Sequence, residues 1–151
     1  MTGKLDGKVA LVSGSGRGIG RSIALKLASE GARLVINDLD AEPANETLAL
    51  IREMGGEAIA CVGNVTHTDF AERFVGAAVQ QYQGLDIIVN NAGVASGGFF
   101  SELSLEDWDW QIAINLMGVV KGCKAFLPLR ERSKGRIINV ASMAALMQGP
   151  G

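Results

Sequence analysis

Short apolar runs alternate with helix-like segments along the whole chain, and this alternation restricts the fold more than any single motif. The stretches "KVALVSG" (8–14), "RLVIND" (33–38), "EAIACVG" (57–63), "LDIIVNNAG" (85–93) and "GRIINVAS" (135–142) read as strands. Between them, residues 21–31, 41–56 and 67–84 carry helical spacing, as where Ile23, Ala24, Leu27 and Ala28 share one face before Gly31 stops the helix. The strands are near-continuously hydrophobic, as a strand covered on both faces must be. Such alternation builds right-handed crossovers and a parallel sheet, so the expected class is α/β, doubly wound. The chain has 151 residues, 48% of them apolar, which is material for one core and a single domain over 1–151.

A further helix is expected over 104–132, opened by Ser104 and Asp107 in capping-box spacing. Ile112, Leu116, Val119, Cys123 and Phe126 form an apolar stripe on it, and Ala113, Met117 and Val120 widen that stripe beyond what a helix with one wet face needs. Cover by the sheet on one side and by a second subunit on the other follows, so a homo-oligomer, dimer or tetramer, is expected through this helix. The other reading is that the stripe fills a large core. A formal charge of −2 without a dense Lys/Arg cluster argues against a nucleic-acid partner. No apolar stretch reads as long enough to span a bilayer, and a cytoplasmic location without a membrane partner is expected. Cys61 and Cys123 read as buried thiols, and the single histidine, His67, cannot build a metal site.

The turn "VSGSGRGIGRS" sits where the first strand hands over to the first helix. Gly14, Gly18 and Gly20 have no Cβ, which permits a sharp turn, close approach of backbone to a ligand, and tight helix-on-sheet packing. The following helix start offers unpaired N–H groups and a positive dipole end, a place for a pyrophosphate. Asp38 ends the second strand about where an acidic residue meets an adenosine ribose. Its carboxylate can accept from both ribose hydroxyls and would repel a 2′-phosphate, so NAD is favoured over NADP. Arg17 is the counterweight, either a phosphate contact or a solvated loop charge.

Four separated motifs, "GSGRGIG" (14–20), "NNAG" (90–93), Asn115 in "INLMG" and Ser142 in "IINVAS", resemble the short-chain dehydrogenases/reductases in their classical subgroup, in family order and over essentially the whole chain. The resemblance implies a Rossmann-type sheet with five strands in the order 3-2-1-4-5. It implies a cofactor turn at Gly14, Ser15, Arg17, Gly18, Ile19 and Gly20, with Asp38 marking NAD preference. Asn91, Ala92 and Gly93 are implied to lie against the adenosine ribose while supporting the central sheet. Asn115 is the implied active-site asparagine that organises a proton-relay water, and Ser142 the serine that hydrogen-bonds the substrate oxygen. Where the family has Asp-Val beside the adenine, this chain has Asn64-Val65, which either keeps that contact or is a polar turn.

The family's proton donor is the tyrosine of a Tyr-x-x-x-Lys motif a dozen or so residues beyond the serine, and the sequence reaches Gly151 without one. Tyr82 has no lysine four residues on and reads as a surface or packing residue. The resemblance therefore implies the N-terminal part of a longer enzyme, inactive by itself, as does "RIINVAS", too hydrophobic for an exposed edge strand. The implied activity is NAD(H)-dependent interconversion of a secondary alcohol and a ketone, with a small-molecule substrate. The alternative is a non-catalytic nucleotide-binding or sensor protein on the same fold. Phe99 and Phe100 either line an apolar substrate wall or pack inside, and Trp110 is either a subunit contact or an exposed aromatic without a role.

Overall fold

The computed structural model describes residues 3–143. Five parallel strands, β1 (Val9–Val12), β2 (Arg33–Ile36), β3 (Ala58–Ala60), β4 (Ile87–Asn90) and β5 (Arg136–Asn139), form one sheet in the order β3-β2-β1-β4-β5. This is the expected doubly wound arrangement. Helices α1 (Gly18–Ser29) and α2 (Ala41–Glu53) cover one face, and α3 (Phe70–Tyr82) and α5 (Val119–Ser133) cover the other. A helix α4 (Leu105–Ile112) runs into α5 through a π-helical segment, Ala113–Gly118.

Alternation within the strands explains the two cores. Val9, Leu11, Val35 and Ile88 point into one cluster with Phe70, Phe74 and Phe126, while Ala10, Val12, Leu34, Ile36 and Val89 point into the other with Ala24, Ala28 and Ile51. The small residues of α1 let its backbone lie close to the sheet, and Gly20, Ala24 and Ala28 are all buried. Because β1 pairs with both β2 and β4, the winding direction reverses between β1 and β4. A crevice at the carboxyl ends of the strands forms at such a reversal.

The structure corrects several sequence readings. Each strand is shorter than its apolar run, because the run continues into loops at the carboxyl edge where the ladder has ended. The first helix begins at Gly18, so two of the three turn glycines belong to its first turn. β5 is largely exposed among the described residues, with Ile138 46% accessible, although its sequence reads as covered on both faces. The "GPG" signal at 149–151 lies outside the described residues. Both cysteines are half-buried rather than fully buried, and burial raises the Cys61 thiol pKa.

The segment expected over 104–132 is helical throughout, Leu105–Ser133, and by length and composition these 29 residues are apolar enough to cross a membrane, contrary to the sequence expectation. Gly122 and Phe126 nevertheless bury one side of it against the sheet, and Lys121 and Lys124 interrupt its middle. Its opening is the expected capping box: Ser104 Oγ accepts from the Asp107 amide at 3.1 Å, and Asp107 Oδ2 accepts from the Ser104 amide at 2.9 Å. Hydrogen bonds donated by the Ser104 hydroxyl and amide hold the Asp107 carboxyl pKa below its ordinary value.

Candidate functional site

The turn after β1 is held by side chains just past the ends of three strands, β1, β2 and β4. Ser13 Oγ accepts from the amides of Asn91 and Ala92, both at 3.0 Å, which ties the end of β4 to the end of β1. Asn91 returns the connection: its Nδ2 donates to the carbonyls of Ser13 at 2.9 Å and Gly14 at 3.0 Å. On the other side, Asn37 Oδ1 accepts from the Gly14 amide at 3.2 Å, and its Nδ2 donates to the Cys61 and Gly63 carbonyls at 3.0 and 2.9 Å. Ser15 is fully buried, with its hydroxyl donating to Val12 O at 2.8 Å and accepting from the Asn37 amide at 3.0 Å. Its part in the turn is therefore to shape it from within.

Two glycines are obligatory here for different reasons. Gly14 has φ +60°, and a Cβ on it would stand 2.9 Å from Ala92 Cα. Gly20 has ordinary helical backbone, but a Cβ there would intrude on the Gly14 carbonyl oxygen and on Asn91 Nδ2. The first turn of α1 thus lies directly on the end of β1. Arg17 occupies the N-cap without a capping side-chain bond, and no acidic residue lies in the first turn. The helix start keeps its free amides and positive end for an anion.

Asp38 is buried at the end of β2. Its Oδ2 accepts from the Gly16 amide at 3.1 Å and its Oδ1 from the Asp40 amide at 3.3 Å. Arg17 Nη2 lies 3.7 Å from Asp38 Oδ1 and 3.2 Å from Asp40 Oδ2. The guanidinium therefore sits between two carboxylates at the rim, and the pair outweighs its charge.

These groups line a crevice of about 540 Å³. Of the sequence candidates, Gly14, Arg17, Ile19, Gly20, Asp38, Asn64, Val65, Asn91, Ala92 and Gly93 line it together, whereas Ser15 and Gly18 do not. Asn64 Oδ1 accepts from the Thr66 amide at 2.9 Å, so the turn reading of this residue holds whether or not it also meets a base. Asn115 lies in the π-helical segment, and its side chain clamps the chain leaving β4: Oδ1 accepts from the Val94 amide and Nδ2 donates to the Val94 carbonyl, both at 2.9 Å. Ser142 is exposed three residues past β5, at the same carboxyl edge of the sheet. The end of β5 is fixed by Asn90, whose Nδ2 donates to Asn139 Oδ1 at 2.8 Å.

Tyr82 stands apart from all of this. It is buried at the end of α3, donates to the Leu34 carbonyl at 3.5 Å and lies under the Arg33 guanidinium, and burial raises its pKa. Sequence reasoning missed Ser13, Asn37 and Asp40, which build the turn and its charge, and Leu39, Trp110 and Ile114, which complete the walls. The only signal for Asn37 and Asp40 was their place beside Asp38 in "VINDLD".

A profile of the short chain dehydrogenase family matches residues 8–151. The chain is 39% identical over 149 residues to a 3-oxoacyl-[acyl-carrier-protein] reductase of Synechocystis, covering 97% of this chain and 60% of that protein. Among solved structures it resembles a short-chain dehydrogenase/reductase from Burkholderia phymatum in complex with NAD, with TM-score 0.93 and 36% identity over 97% of this chain and 53% of the other. It also resembles a metagenomic short-chain oxidoreductase in complex with NADP, with TM-score 0.90 and 37% identity over 96% and 66%. The chain thus spans little more than half the length of several proteins it matches, and within that span the family match is nearly continuous. The chain belongs to the short-chain dehydrogenase/reductase family of oxidoreductases.

Proposed function

We propose that residues 1–151 form the dinucleotide-binding part of an NAD(H)-dependent oxidoreductase that interconverts a secondary alcohol and a ketone. The observation that carries this reading is the buried Asp38 carboxylate beside an uncapped helix start, in a crevice whose floor is free of Cβ atoms at Gly14 and Gly20. An anionic diphosphate suits the amides of Gly18 to Gly20, and a diol-bearing sugar suits Asp38. Ile19, Ala92 and Gly93 supply apolar and backbone surface along the crevice, and Asn64 and Val65 stand where a base would lie. A bound nicotinamide would supply hydride to the carbonyl carbon of a ketone or accept it from the carbinol carbon of an alcohol.

The chain's own residues bind and orient. Ser142 holds the substrate oxygen. Asn115, by gripping both polar atoms of Val94, fixes the strand exit that borders the crevice, and it organises a proton-relay water. The general acid is assigned to a residue other than Tyr82, which is buried in the core. The NAD-bound neighbour and the reductase relative support the reading; the NADP-bound neighbour makes the cofactor choice a matter for Asp38 and Asp40.

Titration of the full-length protein with NADH and NADPH tests this. Wild type is expected to prefer NADH. Asp38→Ala should weaken NADH by about tenfold or more, the loss of hydrogen bonds to a charged group, and narrow the gap to NADPH. Asp38→Asn should narrow the same gap while keeping an acceptor for the Gly16 amide. Preference for NADPH in wild type, or discrimination unchanged in both variants, would refute the ribose argument.

A homo-oligomer through 104–132 is part of the same reading, as is a cytosolic location. Ile112, Leu116, Val120 and Leu127 on this helix are each more than a third exposed. Leu116→Lys should lower the sedimenting mass of the full-length protein, and an unchanged mass would take this helix out of the interface.

A further inference from the structure

We propose that Trp110 is a cofactor-binding residue, its indole forming the aromatic wall against which the adenine of the bound dinucleotide packs. This inference rests on the dinucleotide reading above. Downstream of Trp110, the junction of the π-helical segment with α5 is anchored to the turn after β3 by two independent contacts. Lys121 Nζ donates to the Thr66 carbonyl at 2.5 Å, and Gly118 lies so close to Val65 that a Cβ on it would stand 3.2 Å from Val65 Cγ2. Ile114, at the start of that segment, and Trp110, in the last turn of α4, both line the crevice with Asn64, Val65 and Leu39.

The position of the base follows from the sugar. With the diphosphate at the start of α1 and the ribose on Asp38, the base lies beyond Asp38, on the side of Leu39 and Asn64-Val65. There two large apolar side chains, Leu39 at 63% and Trp110 at 46% exposure, border the crevice. A flat heteroaromatic base with a polar rim is the ligand that buries such surfaces while leaving its edge to Asn64 and water. Trp108 makes a different contact, packing on Phe100 with ring centroids 5.7 Å apart, and it does not line the crevice. The two tryptophans of "WDW" are thereby separated in role, and Trp108 serves as an internal control.

The test is fragment binding to the full-length protein. Trp110→Ala is expected to weaken NADH and ADP-ribose by the same factor, about tenfold, the usual scale of one lost base–aromatic stack. Reduced nicotinamide mononucleotide, which has no adenine, should bind as it does to wild type. Trp110→Phe should recover most of the loss, and Trp108→Ala should leave ADP-ribose binding unchanged. Equal weakening of the mononucleotide, unchanged NADH and ADP-ribose binding by Trp110→Ala, or a loss that tracks a fall in oligomeric mass would each overturn the assignment. Failure of the wild-type protein to bind NADH or ADP-ribose would instead strike the dinucleotide reading on which it stands.

Discussion

Alanine at position 20 is expected to lower NADH affinity of the full-length protein by more than about 100-fold and to cost about 3 kcal/mol of stability, the upper range for overpacking. The added methyl meets the carbonyl of Gly14 and the amide of Asn91, and neither can yield cheaply. The carbonyl belongs to a turn fastened to β2 by Asn37, and the amide already donates to Ser13 and Gly14. Relief requires α1 to lift from the sheet, which moves the free amides away from any diphosphate. Gly18→Ala is the contrast: φ there is +55°, but the space is open, so the expected cost is only the left-handed penalty of about 1–2 kcal/mol. Calorimetric titration and thermal unfolding measure both quantities. A folded Gly20→Ala protein that binds NADH as wild type does would remove the close-approach argument.

Ser142→Ala is expected to reduce turnover by roughly 10²- to 10³-fold, the scale for removing one hydrogen-bond donor to an oxygen that gains charge in the transition state. NADH affinity should stay within about twofold, because Ser142 is not among the residues that line the crevice. The position of the serine depends on the end of β5, which is registered against β4 with Asn139 opposite Asn90 and joined to it through their side chains. Steady-state kinetics paired with NADH titration separates the two effects. Turnover that survives the substitution would remove Ser142 from the site.

The sheet was legible because its central strands β1, β2 and β4 are buried on both faces, so apolar runs mark them directly, and because each crossover needs a helix. Their ends were not legible, since the apolar runs continued through Ser13, Asn37 and Asn90 without showing that these side chains are braces held by long-range hydrogen bonds at the strand ends. Gly14 and Gly20 were visible as glycines, yet the reason for Gly20 lies in a contact with Asn91, 71 positions away in the chain. Trp110 shows the limit most clearly. Helical spacing separates it from Trp108 but cannot say which neighbour it meets, because that depends on how the π-helical segment sets the helix against the turn after β3.

That π-helical segment gives the long helix two independent phases. Each residue of an ordinary helix advances by about 100°, so one residue more in a turn rotates everything after it relative to everything before. Trp110, upstream, and Ile114, at the start of the segment, line the crevice; downstream, Gly122 and Phe126 are buried against the sheet. A straight α-helix of this sequence would satisfy one set of obligations and misalign the other. The irregular turn works as a coupling between two gears, and Asn115, seated within it, holds the strand exit at the place where they mesh.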